Sequence, residues 1–273
     1  MSGRYRLAAV DLDGTLLGSD KTVSAGNRAA IAAARAAGLD VIVATGRSLH
    51  EAANFAREAG CGSDMICEGG TMVADAYTHA VLHIWTMQAK DAAALIRTAR
   101  SFGLTAMCYV DGDTWLTPDA EGVIFKGANR YRADLSHYRI HPALEADLEA
   151  RGGTVTKLLA CGDPQAVQAA RAALPDLPGV RVTSSGTDNF EAHAAGAGKG
   201  TALKWLCRHR GIPLAQTIAM GDAENDLDLL KAAGAAVAMG DGAACVREIA
   251  DFLAPGHNAD GVAAALRHFN SMK

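Results

Sequence analysis

Short apolar runs alternate with longer, alanine-rich amphipathic segments at the start of the chain. The order is LAAV, SAGNRAAIAAARAAG, LDVIVAT, a segment that ends at EAG, and then DMIC. This alternation is typical of βαβ units, in which helices cover a parallel sheet. Ser24 is the predicted N-cap of the first helix, and Gly38 is predicted to follow its last turn.

The same alternation returns near the end of the chain. GKGTALKWLCRHRG is predicted to be a helix, TIAM a strand, ENDLDLLKAAG a helix and AAVAM a strand. Because the two ends have the same texture, we expect them to form a single α/β core.

The middle of the chain, residues 84–185, has a different pattern. Strand-like pieces such as LTAMCYV, WLTP, TVTKLLA and VRVTSS are mixed with helices, and VLHIWTM straddles the start of the region. The turn signal Asp111-Gly112 favours antiparallel pairing. We therefore predict an α+β domain over 84–185, inserted into a core made of 1–83 and 186–273.

Composition narrows the class of protein without identifying it. Of the 273 residues, 49% are hydrophobic and 21% charged, and the formal net charge is −4. That balance gives no electrostatic reason to expect a nucleic-acid or membrane partner. The first apolar run has about four residues, too short for a signal peptide or a membrane span, so a cytoplasmic location is expected. The six cysteines form no C-x-x-C pair, which favours reduced thiols over zinc or disulfides.

Polar residues follow three of the predicted core strands, and a lysine begins a helix. Because ligands bind outside the carboxyl ends of strands in open parallel sheets, we expect these residues to converge. They are Asp11 and Asp13 after LAAV, Thr45 and Gly46 after VIVA, Asp222 after TIAM, and Lys199 in GAGKGTAL.

Crowded carboxylates raise one another's pKa unless a cation neutralises them. Oxygen ligands without His or Cys at ligand spacing favour Mg²⁺, which also takes substrate phosphate and water. Thr45, Lys199 and the main-chain amides after Asp11, beginning at Leu12, would supply donors to that phosphate. Asp11 could then attack phosphorus, and Asp13 could exchange a proton with the leaving oxygen.

Four segments in order, DLDGTLL, ATGR, GKG and GDAENDLDLL, resemble the motifs of the haloacid dehalogenase superfamily. The resemblance is to its Cof-like hydrolases, which carry a large C2-type cap between the second and third motifs. It implies a Rossmann-like parallel-sheet core, an inserted α+β cap that acts as a lid, and a Mg²⁺-dependent phosphatase.

Roles for individual residues follow from this resemblance. It implies that Asp11 is the nucleophile, Asp13 the acid/base, and Thr45, Gly46 and Lys199 phosphate-binding residues. Magnesium would be held by Asp11, Asp222 and the main-chain carbonyl of Asp13. Asn225 would lie near the phosphate, and Asp226 would support Lys199 or the metal from behind.

Two positions depart from the family pattern. Relatives usually have Asn-Gly after the third strand, whereas this chain has Gly69 at the Asn position, preceded by Glu68. That change puts the substrate preference in doubt. Asp241 replaces another usual asparagine, with an expected local effect on a turn. Arg47 is left out of the site, because it is expected to bond a helix end or a sheet edge.

Three functions remain open from the sequence. A phosphatase would release inorganic phosphate from a small metabolite, such as a sugar phosphate or a cofactor-related phosphate. A phosphomutase would return phosphate to a sugar and need a bisphosphate activator. A catalytically silent metabolite-binding module would turn over no substrate. The protein is expected to be a monomer or a homodimer.

Overall fold

The computed structural model describes residues 5–120, 135–151, 155–184 and 186–271. It divides into two compact units. The first runs to His83 and resumes at Gly198, and the second is Ile84–Ala197.

The first unit is built on a five-stranded sheet with the order β14-β13-β12-β1-β2. Every neighbouring pair is parallel. The central strand, β12, comes from the end of the chain, and β1 beside it comes from the start, so the two ends do form one α/β core. The strands are β1 (Leu7–Val10), β2 (Asp40–Val43), β12 (Thr217–Gly221), β13 (Ala235–Met239) and β14 (Phe252–Ala254).

Six helices of this unit accompany the sheet. At the first of them, the Ser24 hydroxyl accepts a hydrogen bond from the Asn27 amide (3.0 Å), which confirms the predicted N-cap. The helices are α1 (Ala25–Ala36), α2 (Leu49–Ala59), α6 (Lys199–Arg210), α7 (Leu227–Ala232), α8 (Ala244–Arg247) and α9 (Gly261–Ser271).

A second, three-stranded sheet in this unit has the order β3-β4-β5. Its strands are β3 (Asp64–Cys67), β4 (Met72–Asp75) and β5 (Val81–Ile84). DMIC is therefore a strand, as predicted, but it pairs antiparallel with β4. A bridge between Ala44 and Ile66 joins it to the parallel sheet.

The second unit contains a six-stranded sheet with the order β10-β11-β9-β6-β7-β8. Its strands pair antiparallel apart from β7 and β8. The strands are β6 (Thr105–Val110), β7 (Asp113–Leu116), β8 (Tyr138–Ile140), β9 (Val155–Cys161), β10 (Val180–Thr183) and β11 (Asn189–Ala194). Its helices are α3 (Ala89–Ser101), α4 (Leu144–Arg151) and α5 (Pro164–Ala173).

The end of the inserted domain lies later than the sequence predicts. The expected boundary at 185/186 is wrong, because β11 lies between β10 and β9 and belongs to the second unit. Polar Glu191 and His193 alternate along β11 with apolar Phe190 and Ala192, which join the apolar core of that unit. This period of two is the sequence signal for a strand, and it places the return to the first unit at Gly198.

No helix in the described ranges is both long enough and apolar enough to cross a bilayer.

One buried amide ties three segments of the first unit together. The side chain of Asn27 donates to the Leu16 carbonyl (3.2 Å) and accepts from the Ala263 amide (3.0 Å). Asn27 is 1% exposed, so neither backbone group can turn to water if this side chain is removed.

We expect Asn27→Ala to lower the free energy of unfolding by about 2 kcal/mol or more, because it leaves two buried backbone groups unpaired. Urea titration followed by circular dichroism measures this loss. The control is Asn270→Ala on exposed α9 surface, expected within about 0.5 kcal/mol of the wild type. Equal stability of the two variants would contradict this role of Asn27.

Candidate active site

Two neighbouring strands bring two aspartates to the same edge of the parallel sheet. Val10 of β1 is in register with Met220 of β12, and the Asp11 amide donates to the Met220 carbonyl at 3.0 Å. Asp11 directly follows β1, and Asp222 directly follows β12. Together with Asp226, they form a cluster whose ligand oxygens all lie within 4.8 Å of one another.

Lys199 lies at the centre of this cluster. Its ammonium donates to Oδ1 of Asp11 and to Oδ1 of Asp226, each at 2.6 Å. Burial alone would lower the pKa of Lys199, but the charges of Asp11 and Asp226 raise it well above its usual value. The residue is 1% exposed and stays charged. The lysine that begins α6 is therefore a fixed positive charge beside Asp11.

Asp226 supports both the lysine and the turn after β12. Its other oxygen accepts hydrogen bonds from the amides of Asp222 (3.0 Å) and Ala223 (3.2 Å). Its side chain is fully buried. Asn225, the predicted phosphate neighbour, lies in the same turn and is half-buried. Asp226 thus connects Lys199 to the loop that carries Asp222, which fits the predicted supporting role.

The carboxylates of the cluster are poorly neutralised. Burial raises the pKa of Asp11 well above its usual value, although Lys199 opposes the shift. Burial, with the neighbouring charge of Asp226, raises the pKa of Asp222 to about 6, and Oδ1 of Asp222 accepts a hydrogen bond from Thr15 at 2.9 Å. The cluster has three carboxylates, and of these its ammonium, that of Lys199, contacts only Asp11 and Asp226. An all-oxygen donor set with excess negative charge fits Mg²⁺.

Asp13 is in an opposite electrostatic environment. Its carboxylate accepts from Arg47 Nε (2.7 Å), Arg47 Nη2 (2.9 Å) and Lys21 Nζ (2.8 Å). Burial alone would raise the pKa of Asp13, but these hydrogen bonds and charges lower it to about 2. Asp13 is therefore ionised in this arrangement. The expectation that Arg47 bonds a helix end or sheet edge is wrong, because its guanidinium donates hydrogen bonds to both carboxylate oxygens of Asp13.

The loop after β2 carries the other predicted phosphate-binding residues. Because β2 adjoins β1, Thr45 and Gly46 emerge at the same edge of the sheet as Asp11. Thr45 is buried, and its hydroxyl accepts a hydrogen bond from the Arg47 amide at 3.2 Å. Leu12 is fully buried between Asp11 and Asp13.

The turn between β3 and β4 packs against this loop. The Glu68 amide donates to the Arg47 carbonyl (2.8 Å), and the Gly69 amide donates to the Thr45 carbonyl (3.0 Å). Glu68 is 1% exposed and has a positive φ of 53°, an unusual conformation for a residue with a side chain. A Cβ on Gly70 would overlap the Lys199 amide nitrogen, so only glycine fits there.

Lys21 is held near Asp13 by a hairpin over residues 17–23, closed by a bridge between Leu17 and Val23. Ser19 in that hairpin is bonded to Asn258 in both directions, at 2.9 and 2.8 Å. The Ser19 hydroxyl also lies 3.1 Å from His257 Nε2, whose Nδ1 lies 2.7 Å from Asp241. Asp241, at a usual asparagine position, therefore helps to anchor the hairpin.

Sequence reasoning missed three residues of this region: Thr15, Lys21 and Arg47. A signal for Arg47 was present, because it lies two residues after Thr45 in the ATGR segment. Lys21 had no signal, since GSDKT reads as an ordinary polar turn and only the hairpin geometry brings it to Asp13.

Comparison with known proteins agrees with this geometry. A family model described as haloacid dehalogenase-like hydrolase matches residues 8–266. Phosphatase YwpJ of Bacillus subtilis (strain 168) is 29% identical, covering 96% of this chain and 99% of its own. Pyridoxal phosphate phosphatase YbhA of Escherichia coli (strain K12) is 28% identical, covering 94% and 96%.

A solved structure of a haloacid dehalogenase-like hydrolase from B. subtilis has the same fold. Its TM-score with this chain is 0.85 at 26% identity, covering 96% of this chain and 99% of that one. The fold class predicted from the sequence and the resemblance carried by the four motifs are both confirmed. The chain belongs to the family of haloacid dehalogenase-like hydrolases.

Proposed function

We propose that this hydrolase is a Mg²⁺-dependent phosphatase that acts on a small phosphorylated metabolite through an aspartyl-phosphate on Asp11. The observation that carries the proposal is the buried Asp11 carboxylate, held 2.6 Å from Lys199 within a cluster of three carboxylates. The two relatives named above are phosphatases, which favours hydrolysis over a mutase reaction or silent binding. The substrate class is a sugar phosphate or a cofactor-related phosphate.

In the first half-reaction, a carboxylate oxygen of Asp11 attacks phosphorus while the bond to the leaving oxygen breaks. Lys199 keeps Asp11 in place through Oδ1. We assign the binding of the phosphate oxygens to Thr45, Gly46, Lys199, Asn225 and the main-chain amides beginning at Leu12. Asp13 is ionised while Arg47 and Lys21 hold it, so it must first carry a proton, the one it takes from water in the preceding turnover, before it can give that proton to the leaving oxygen.

In the second half-reaction, Asp13 takes a proton from water, and that water attacks phosphorus. The bond between phosphorus and Asp11 breaks, which frees inorganic phosphate and restores the Asp11 carboxylate. Because Asp13 is ionised when Arg47 and Lys21 hold it, this arrangement suits its role as a base.

Asp11, Asp222 and the main-chain carbonyl of Asp13 are assigned to Mg²⁺. Asp226 would not bind the ion but would keep Lys199 and the Asp222 loop in place. When bound, the ion supplies positive charge to the phosphoryl oxygens and offsets the repulsion between carboxylates.

Residues 84–197 are assigned to substrate selection. One face of their six-stranded sheet packs its apolar side chains, such as Leu158, into the core of that unit. The other carries Tyr109, Lys157 and His193 in register on three adjacent strands. Lys157 forms an ion pair of 2.9 Å with Glu191. Tyr109, Lys157 and His193 are each 6% exposed or less, so their polar groups are assigned to the organic part of a substrate by their chemistry and not by exposure.

We expect the two aspartates of the DLD segment to fail in different ways. Asp11→Asn removes the nucleophile, so the rate should fall by about a thousandfold or more and no covalent intermediate should form. Asp13→Ala keeps the nucleophile and should accumulate phosphorylated Asp11 with p-nitrophenyl phosphate, whose leaving group needs little protonation. Acid quench and mass spectrometry detect it as a gain of about 80 Da.

The matched control is Asp176→Asn, an exposed aspartate of the second unit that should retain the wild-type rate. Labelling of Asp11→Asn equal to that of Asp13→Ala, or a label on another residue, would show that the two roles are wrongly assigned.

We expect EDTA to abolish turnover and added Mg²⁺ to restore it, because the carboxylate cluster repels a phosphate dianion without a cation. Ca²⁺ should substitute poorly, since its larger shell can occupy both oxygens of Asp11. Assays with EDTA, Mg²⁺ and Ca²⁺ measure the metal requirement. Full activity in EDTA would contradict the metal assignment.

Because the pKa of Asp222 is raised to about 6, protons should compete with Mg²⁺ and weaken its binding below that pH. Titrations of activity against Mg²⁺ at two pH values measure the effect of protons.

Exchange of residues 84–197 for the matching domain of a relative should change the ranking of substrates and leave the Mg²⁺ requirement intact. Phosphate release from a panel of phosphorylated metabolites provides the ranking. If the ranking stays the same, the first unit selects the substrate, and Glu68 becomes the leading candidate.

A further inference from the structure

The guanidinium of Arg47 donates hydrogen bonds to both oxygens of the Asp13 carboxylate. Arg47 Nε lies 2.7 Å from Oδ2 and Nη2 lies 2.9 Å from Oδ1, so two parallel hydrogen bonds fix the plane of the carboxylate. Lys21 adds a third bond to Oδ1 at 2.8 Å. A point charge such as an ammonium cannot impose an orientation in this way, whereas the fork of an arginine can.

Arg47 is itself held in place by contacts other than those with Asp13. It is 8% exposed, and its guanidinium lies over the Phe55 ring, 4.6 Å from the centroid. Its backbone amide donates to the Thr45 hydroxyl, and its carbonyl accepts from the Glu68 amide. Arg47 therefore presents a pre-oriented fork on the same loop as Thr45.

Lys21 reaches Asp13 from the hairpin over residues 17–23, which is anchored through Ser19 to Asn258 and His257. Two separate segments of the first unit thus converge on one carboxylate. If Arg47 only joined two loops, a single bond would suffice. The paired bonds to both oxygens instead set the direction in which Asp13 faces.

We infer that Arg47 is a positioning residue for Asp13. Its two hydrogen bonds to the carboxylate, together with the one from Lys21, set the orientation from which Asp13 transfers protons. The inference rests on the proposed function, in which Asp13 is the acid/base. Arg47 then contributes to turnover only through Asp13. Lysine at position 47 keeps the positive charge and loses the fork, so it should reproduce part of the Asp13→Ala phenotype.

A double-mutant cycle tests this directly. The variants are Arg47→Lys, Asp13→Ala and the combination of both, assayed by rapid quench for phosphorylation and dephosphorylation of Asp11. In the wild-type background, Arg47→Lys should slow dephosphorylation by about tenfold or more, a fraction of a full acid/base contribution. In the Asp13→Ala background, the same change should have no further effect.

The leaving group supplies a second readout. An alkyl phosphate needs a proton on its leaving oxygen and p-nitrophenyl phosphate does not, so Arg47→Lys should slow phosphorylation by the alkyl substrate more. KM should change little. The control is Arg57→Lys, a half-buried arginine of α2 that bonds the Ala76 carbonyl, and its effect should be the same in both backgrounds.

Equal slowing by Arg47→Lys with and without Asp13 would overturn the inference, as would a change confined to KM, which would identify Arg47 as a substrate-binding residue. If Asp13→Ala accumulates no phosphorylated Asp11, the proposed role of Asp13 fails and the inference fails with it. Should Arg47→Lys not fold, Lys21→Met takes its place in the same cycle. It should show a smaller effect that also disappears without Asp13, and a persisting effect would overturn the inference.

Discussion

The buried ammonium of Lys199 is the interaction on which the rest of the site depends. It lies 2.6 Å from both Asp11 and Asp226, with 1% of its own side chain exposed. Removal of one partner from such a group leaves an uncompensated charge, which costs about 3–5 kcal/mol. The first strand, the start of α6 and the turn after β12 are held together by this ion triad. The close approach of Gly70 to the Lys199 backbone is part of the same packing.

The two aspartates of the DLD segment are separated by one residue and have opposite surroundings. Asp11 shares a single lysine with other carboxylates, whereas Asp13 is gripped by an arginine and a lysine. Burial raises the pKa of Asp11, while the two cations lower that of Asp13. The parallel order β12-β1-β2 produces this asymmetry, because it puts the acidic turn on one side of β1 and the Arg47 loop on the other. The proposed division of labour between nucleophile and acid/base follows from these different surroundings.

The sequence predicted what depends on periodicity and on contiguous motifs. LAAV and TIAM are buried strands because they are apolar throughout, and residues that follow adjacent parallel strands must lie at one edge. It did not predict what depends on long-range geometry. Lys21 reaches Asp13 only through a hairpin anchored at Asn258, and no local pattern encodes that contact. The structure ends the inserted domain at Ala197 and not at 185, because β11, with its alternating polar and apolar residues, pairs within the sheet of that domain.

The central claim is that Asp11, held by Lys199, is the residue that receives the phosphoryl group. A structure of crystals grown with Mg²⁺ and beryllium fluoride tests this claim directly, because trifluoroberyllate bonds to a nucleophilic carboxylate as a phosphoryl group does. We predict beryllium bonded to a carboxylate oxygen of Asp11, with Lys199 still in contact with Asp11 and Mg²⁺ bound by Asp11 and Asp222. Beryllium bonded to any other residue, or Mg²⁺ bound away from Asp222, would contradict the account.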